Sequence, residues 1–235
     1  MDKKSWLEAA RWNAEMFYLG SEKNPRMSPA NWWINGEIRV FWTRNVPEKT
    51  VDVVVSACEE RAREFGRLCG FPAFRFRRFG SHPSALEQVA ACMTIRGEVD
   101  EQKFFPLVGA ESWRRPEAGG YRHGDIYITE YPIKGGHTSW GVTSVNEGIM
   151  LLGLYGDRPQ SPYFLDCVAM HEMGHMLGIP LHCDQYRDVA GYRYDPHCGM
   201  HWACPGTEVC PKCLDFVSEW WRTWLDMRKG SRERT

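Results

Sequence analysis

The sequence predicts an α+β domain: a mixed β-sheet with helices, followed by a small cysteine-rich C-terminal lobe that ends in a helix. Three observations predict it. Strand-like and helix-like periodicities succeed one another between residues 38 and 177. The last helix of that run carries His171-Glu-Met-Gly-His175. Five of the nine cysteines then crowd into residues 183–213.

The elements follow in order. Residues 5–19 show helical periodicity, with Trp6, Ala9, Ala10, Asn13 and Phe17 along one side. Residues 20–36, rich in Pro, Asn, Ser and Gly, read as a loop. Ile38–Thr43 is a first strand. Pro47–Leu68 is a long helix, with Pro47 suited to its first turn and Gly70 and Pro72 closing it. Phe74–Phe79 alternates aromatic and basic residues. That pattern can mean nucleic-acid contact, but a half-buried strand already accounts for it. Pro83–Ile95 reads as a helix and residues 97–120 as an irregular insertion. Asp125–Pro132 is a third strand, broken by Gly135-Gly136, Ser139–Val145 a short fourth and Gly148–Leu154 a buried fifth. Tyr163–Leu177 is a helix ended by Gly178 and Pro180. Leu214–Arg228 is the last helix. The expected division is 1–36, an N-terminal helix and loop; 37–178, an N-terminal subdomain that includes the helix bearing His171 and His175; and 179–235, a cysteine-rich C-terminal subdomain.

Composition narrows the function. Twenty-nine Lys and Arg against thirty Asp and Glu give a net charge of -1, without the electrostatic footprint of a general nucleic-acid binder. No apolar run approaches the ~20 residues of a membrane-spanning helix. Glu8, Arg11 and Glu15 interrupt any secretory core, so a cytoplasmic protein is expected. The eleven Trp are expected to fill the core. An odd cysteine count in a reducing compartment argues for metal over disulfides.

On a helix, positions i and i+4 share a face, so His171 and His175 can reach one ion. Zinc accepts neutral imidazole and keeps one position open in a catalytic site. Glu172, beside the same face, can act as general base toward a zinc-activated water and then pass the proton to the leaving amine. The motif continues Met-Leu-Gly178-Ile-Pro-Leu181-His182. The third ligand of the pattern HExxHxxGxxH falls on Leu181, and His182 is one residue late. Pro180 can widen the turn, which favours His182 over Asp184, His197 or His201.

This region resembles the archaemetzincins, whose signature adds a Cys after the motif, a second Cys two residues before a Met, and a CxxC. Cys183, Cys198-Gly199-Met200 and Cys210-Pro-Lys-Cys213 match it. The resemblance implies a metzincin-like fold with a backing helix and an active-site helix. It further implies zinc peptidase activity, Met200 as the Met-turn residue, and Cys183, Cys198, Cys210 and Cys213 as ligands of a second, structural zinc. Four thiolates make the closed tetrahedral site that structural zinc prefers. Cys204 remains a rival for Cys198. The fourteen residues between Cys183 and Cys198 exceed the family spacing, and Met200 lies closer to Cys210 than in the family. The resulting loop carries Tyr186, Tyr192 and Tyr194. One of these could stabilise an oxyanion, but packing of the loop is favoured. The strand at 139–145 is the candidate for aligning substrate.

The expectation is a monomeric zinc metallopeptidase, endopeptidase or aminopeptidase-like, holding two zinc ions. Its partner is a peptide or protein substrate, with neither nucleic acid nor membrane. The alternatives are an inactive zinc-bound scaffold or binding module, and a zinc hydrolase acting on something other than peptides.

Overall fold

A computed structural model of the chain describes residues 1–23, 36–71, 73–110, 123–134, 140–145, 147–154 and 161–232. In chain order the elements are α1 (Lys3–Lys23), β1 (Glu37–Trp42), α2 (Glu48–Cys69), β2 (Arg75–Gly80), α3 (Pro83–Ala91), α4 (Glu101–Gly109), β3 (Gly124–Thr129), β4 (Gly141–Ser144), β5 (Ile149–Gly153), α5 (Pro162–Met176) and α6 (Pro211–Arg232). A 3-10 turn over Cys183–Tyr186 precedes α6.

The sheet has the order β2-β1-β3-β5-β4. Four strands are parallel, and β4 runs antiparallel to β5 at one edge, so the sheet is mixed as expected. Alternation along the central strands gives two buried faces. Ile38, Val40, Ile126, Ile128, Met150 and Leu152 point into one core with α1, α2, α5 and α6. Phe41, Tyr127, Ile149 and Leu151 point into a smaller one under α3 and α4. The register sets Arg39 opposite Asp125, and the buried guanidinium donates to both carboxylate oxygens at 2.7–2.8 Å.

The cysteine-rich segment shares the larger core: Cys183, Cys198, Met200, Cys210 and Cys213 join the cluster that contains Trp220, Trp221 and Trp224. Helix α1 lies along α6, where Trp6 packs on Phe216 and Phe17 on Trp220. Most Trp near α6 therefore fill the core, as composition suggested, while Trp12 and Trp202 are exposed.

Several local expectations need correction: residues 20–23 continue α1, and the helix expected over 83–95 ends at Ala91. Residues 101–109, expected to be irregular, form α4, whose Phe104 and Val108 are buried one turn apart. Pro106 inside the helix masks it in sequence, because proline ordinarily breaks helices. The remainder of that stretch, 111–120, lies outside the described residues, as do Gly135, Gly136 and Ser139. The last helix starts at Pro211 rather than Leu214, because proline is well suited to a first helical turn. Strand β2 is an edge strand: Phe76 is partly buried, but Phe79 is exposed and Arg77 and Arg78 pair with Glu37 and Asp52. Among the described residues, no helix is long and apolar enough to cross a membrane.

Candidate metal centres

Helix α5 opens cleanly. Ser161 Oγ accepts the Phe164 N–H at 3.1 Å, and Pro162 occupies the first turn. The helix is buried nearly all round, from Leu165 through Met176. Its far end turns at Gly178, whose φ of 107° favours glycine. Ile179 N–H then donates to Gly174 O at 3.1 Å.

That turn brings His182 back beneath the helix. The His171 and His175 rings lie 4.6 Å apart by centroid, and His182 is 5.1 and 5.0 Å from them. Their ligand nitrogens all fall within 4.8 Å of one another. The extra residue before His182 is absorbed at 178–181, and His182 itself is extended, with φ -77° and ψ 139°. Leu181, which the family pattern would make the ligand, is bypassed. Asp184, His197 and His201 do not join the three histidines. The Asp184 carboxylate instead accepts the Trp202 N–H at 3.1 Å and sits 3.9 Å from His201 Nδ1.

Backbone carbonyls set the imidazole tautomers. His171 Nδ1–H donates to Gly199 O at 2.8 Å, and His175 Nδ1–H to Ile179 O at 2.6 Å. Both Nε2 atoms are then unprotonated, yet they face each other at 3.0 Å. Two lone pairs so placed repel unless a cation lies between them. Burial keeps these rings neutral: it pushes His171 well below the ordinary histidine range, His175 down to about 4, and His182 also down. Three neutral imidazoles make a donor set that suits zinc.

Glu172 is 5% exposed and points toward β4. Its Oε2 accepts the Thr143 hydroxyl at 2.7 Å. Burial pushes its pKa up to about 7, and the Thr143 hydrogen bond works in the opposite direction. Gly141 lies against the same side chain: a Cβ there would stand 2.5 Å from Glu172 Cγ. Sequence reasoning missed both residues, because only strand pairing brings them to the base. It also missed Gly174, where a Cβ would run into the Met200 sulfur. Met200 is thus packed directly beneath the helical turn between the two histidines.

The second group is Cys183, Cys198, Cys210 and Cys213, all buried, with sulfurs within 4.8 Å of one another. Cys183 and Cys210 sulfurs are 3.5 Å apart, beyond the 2.03–2.05 Å of a covalent disulfide. Cys198 Sγ accepts the Met200 and Cys210 N–H groups at 3.4 and 3.3 Å, which favours its thiolate. Cys213 lies in the first turn of α6. Cys204 stays outside the group. Burial pushes its thiol up to about 12, and its φ of 46° is a left-handed value rare for a non-glycine residue.

The two groups share chain. His182 and Cys183 are consecutive, and Gly199, which binds His171, lies between Cys198 and Met200. Tyr186 packs on Trp6 with ring centroids 5.1 Å apart, and the Tyr192 hydroxyl donates to Asp215 at 2.6 Å, so both pack the loop as favoured. Tyr194 lies under Arg187 with its ring 6.5 Å from His201.

The fold is similar to that of an archaemetzincin from Methanopyrus kandleri, with a TM-score of 0.52 and 13% identity, covering 79% of this chain and 95% of that one. Two further structures overlap less well. A zinc-dependent peptidase from Methanocorpusculum labreanum has a TM-score of 0.49 and 16% identity, over 77% of this chain and 99% of that one. An archaemetzincin from Archaeoglobus fulgidus, complexed with malonate, has 0.48 and 13%, over the same shares. At 13% identity the likeness is one of fold. No family model matches the sequence, and no curated protein matches it.

Proposed function

We propose that the chain is a zinc-dependent metallopeptidase, with His171, His175 and His182 holding a catalytic zinc and Glu172 serving as general base. The observation that carries this reading is the pair of deprotonated Nε2 atoms 3.0 Å apart, each ring held by a backbone carbonyl. Zinc held there supplies Lewis acidity toward a peptide carbonyl and makes bound water more acidic. Thr143 occupies Glu172 Oε2, which leaves Oε1 as the oxygen that takes a proton and later returns it to the leaving amine. Burial, by raising the Glu172 pKa, suits the carboxylate to both roles near neutral pH.

The substrate class follows from the edge of the sheet. Among the described residues, strand β4 pairs only with β5, and it lies over α5 through Thr143 and Gly141. An extended peptide pairing with its open edge lies next to Glu172. Cys183, Cys198, Cys210 and Cys213 hold a second, structural zinc.

Metal analysis with a peptide library tests the reading. Two zinc ions per chain, with Glu172→Ala retaining both and losing hydrolysis, is the expected result. Equal hydrolysis by wild type and Glu172→Ala rejects the mechanism. A single cysteine-bound zinc leaves only a scaffold.

A further inference from the structure

Two cations are buried beside the four cysteines, and the proposed hydrolysis uses neither. Arg61, on α2, has a side chain with no exposed surface. Its Nε donates to Met170 O at 3.3 Å, and its two terminal nitrogens donate to Thr207 O and to Glu64. Met170 immediately precedes His171. Thr207 O lies against Gly199, within 3.0 Å of where a Cβ there would stand. The guanidinium therefore spans the gap between the histidine-bearing helix and the segment that carries Cys198.

Lys212 sits inside the CxxC, between Cys210 and Cys213, and is 2% exposed. Its ammonium donates to Cys183 O at 2.8 Å and to Tyr186 O, and lies 5.7 Å from the Trp6 ring centroid. No carboxylate among the described residues forms an ion pair with it. Glu64 answers Arg61 from a position 41% exposed, on the solvent side. An ammonium and a guanidinium withdrawn from water are costly unless negative charge lies close by. Four thiolates around a divalent ion carry about two units of negative charge in excess. The Lys212 ammonium offsets part of it, and the Arg61 guanidinium, shared with Glu64 on its solvent side, offsets more.

We propose that Arg61 and Lys212 are the internal counter-charges of the four-cysteine metal centre, and that Arg61 also positions the turn of α5 that bears His171. The inference rests on the reading of the cysteines as a metal centre. Both are positioning residues, acting through the ligands they adjoin.

The test loads the full chain with cobalt(II). Thiolate-to-cobalt charge-transfer absorption reports the cysteine centre, and competition with zinc gives the affinity of each centre. Lys212→Met is expected to weaken the cysteine centre by roughly 10- to 100-fold, the usual effect of losing an outer-shell partner, and to leave the histidine centre as in wild type. Arg61→Met is expected to weaken both centres. Lys212→Arg is expected to recover most of the loss, and Arg61→Lys, which keeps the charge without the Met170 bond, is expected to recover the cysteine centre but not the histidine centre. Lys212→Gln keeps a donor to the carbonyls without the charge, and it too is expected to weaken the cysteine centre. Wild-type affinity at that centre in folded Lys212→Gln overturns the proposal, and so does an Arg61→Met effect confined to one centre. Should Arg61→Met fail to fold, the Lys212 series, which leaves α5 untouched, decides the counter-charge claim. Arg61→Lys then decides the positioning claim, which wild-type histidine-centre affinity in the absence of the Met170 bond would overturn. If wild-type protein lacks the charge-transfer band, the metal-centre reading itself fails.

Discussion

The Thr143 hydroxyl lies 2.7 Å from Glu172 Oε2 and 3.2 Å from the Glu172 backbone oxygen, so the edge strand holds the proposed base from outside its own helix. Replacing Thr143 with Val keeps the shape and removes the donor. A hydrogen bond to a charged group contributes about 1.5–3 kcal/mol, so kcat is expected to fall roughly 10- to 100-fold, with KM little changed. Because that bond lowers the Glu172 pKa, its loss raises it, and the acid limb of the pH–kcat profile moves to higher pH.

Gly141→Ala tests the same contact sterically. The new Cβ would fall 2.5 Å from Glu172 Cγ and 2.8 Å from Oε1, so the carboxylate must leave its position. Metal content is expected to stay at the wild-type value while hydrolysis falls toward that of Glu172→Ala. Wild-type hydrolysis in this variant would mean that Glu172 has room the structure does not show.

Gly174→Ala pushes a methyl into the Met200 sulfur. Overpacking a filled core costs about 1–3 kcal/mol, so the melting temperature is expected to drop. Gly174→Ala combined with Met200→Ala is expected to recover part of that drop in the same melting experiment.

The metal-free protein should weaken in mild acid. Inside it, His171 and His175 stay neutral, with His175 held down to about 4, whereas unfolded histidines protonate below about 6.5. Between those values the unfolded histidines bind more protons than the folded ones, so their contribution to stability falls as pH drops, offset in part by Glu172, whose raised pKa makes the folded chain take up one proton over the same range. For His171, which is 2% exposed, the slope approaches about 1.4 kcal/mol per pH unit. Urea titrations in chelator at pH 5 and pH 7 measure it. A flat response would show that the imidazoles protonate without unfolding.

A mild chelator is expected to take the histidine-bound metal first. His175 and His182 are partly exposed, whereas all four cysteines are buried. Hydrolysis should then vanish before the near-ultraviolet signal of the packed Trp residues changes. Simultaneous loss of both would contradict this order.

The parts of the site that follow from local geometry were legible in the sequence. Two histidines four apart on a helix need only the helical period to converge, and CxxC needs only one turn. His182 was readable because Gly178 and Pro180 announce a bend. The mixed sheet with helices followed from the order of periodic segments, and the metzincin-like fold from the resemblance carried by residues 171–213. What depends on register was not legible. Thr143 precedes Glu172 by 29 residues and meets it only because β4 lies antiparallel on β5, above α5. Arg61 precedes Thr207 by 146 residues, and no periodicity hints at that pairing. Helix α4 was hidden by Pro106, where burial of Phe104 and Val108 overrides a local breaker.

His182 and Cys183 stand on consecutive residues, the first of them extended. Neighbouring side chains on extended backbone diverge to opposite sides, so His182 can join the histidine group while Cys183 joins the cysteine group. The stretch before this junction tolerates a change of length, as the extra residue after Gly178 illustrates. The junction itself does not: inserting one alanine between 182 and 183 would rotate one donor away from its group, which local rearrangement alone could not restore.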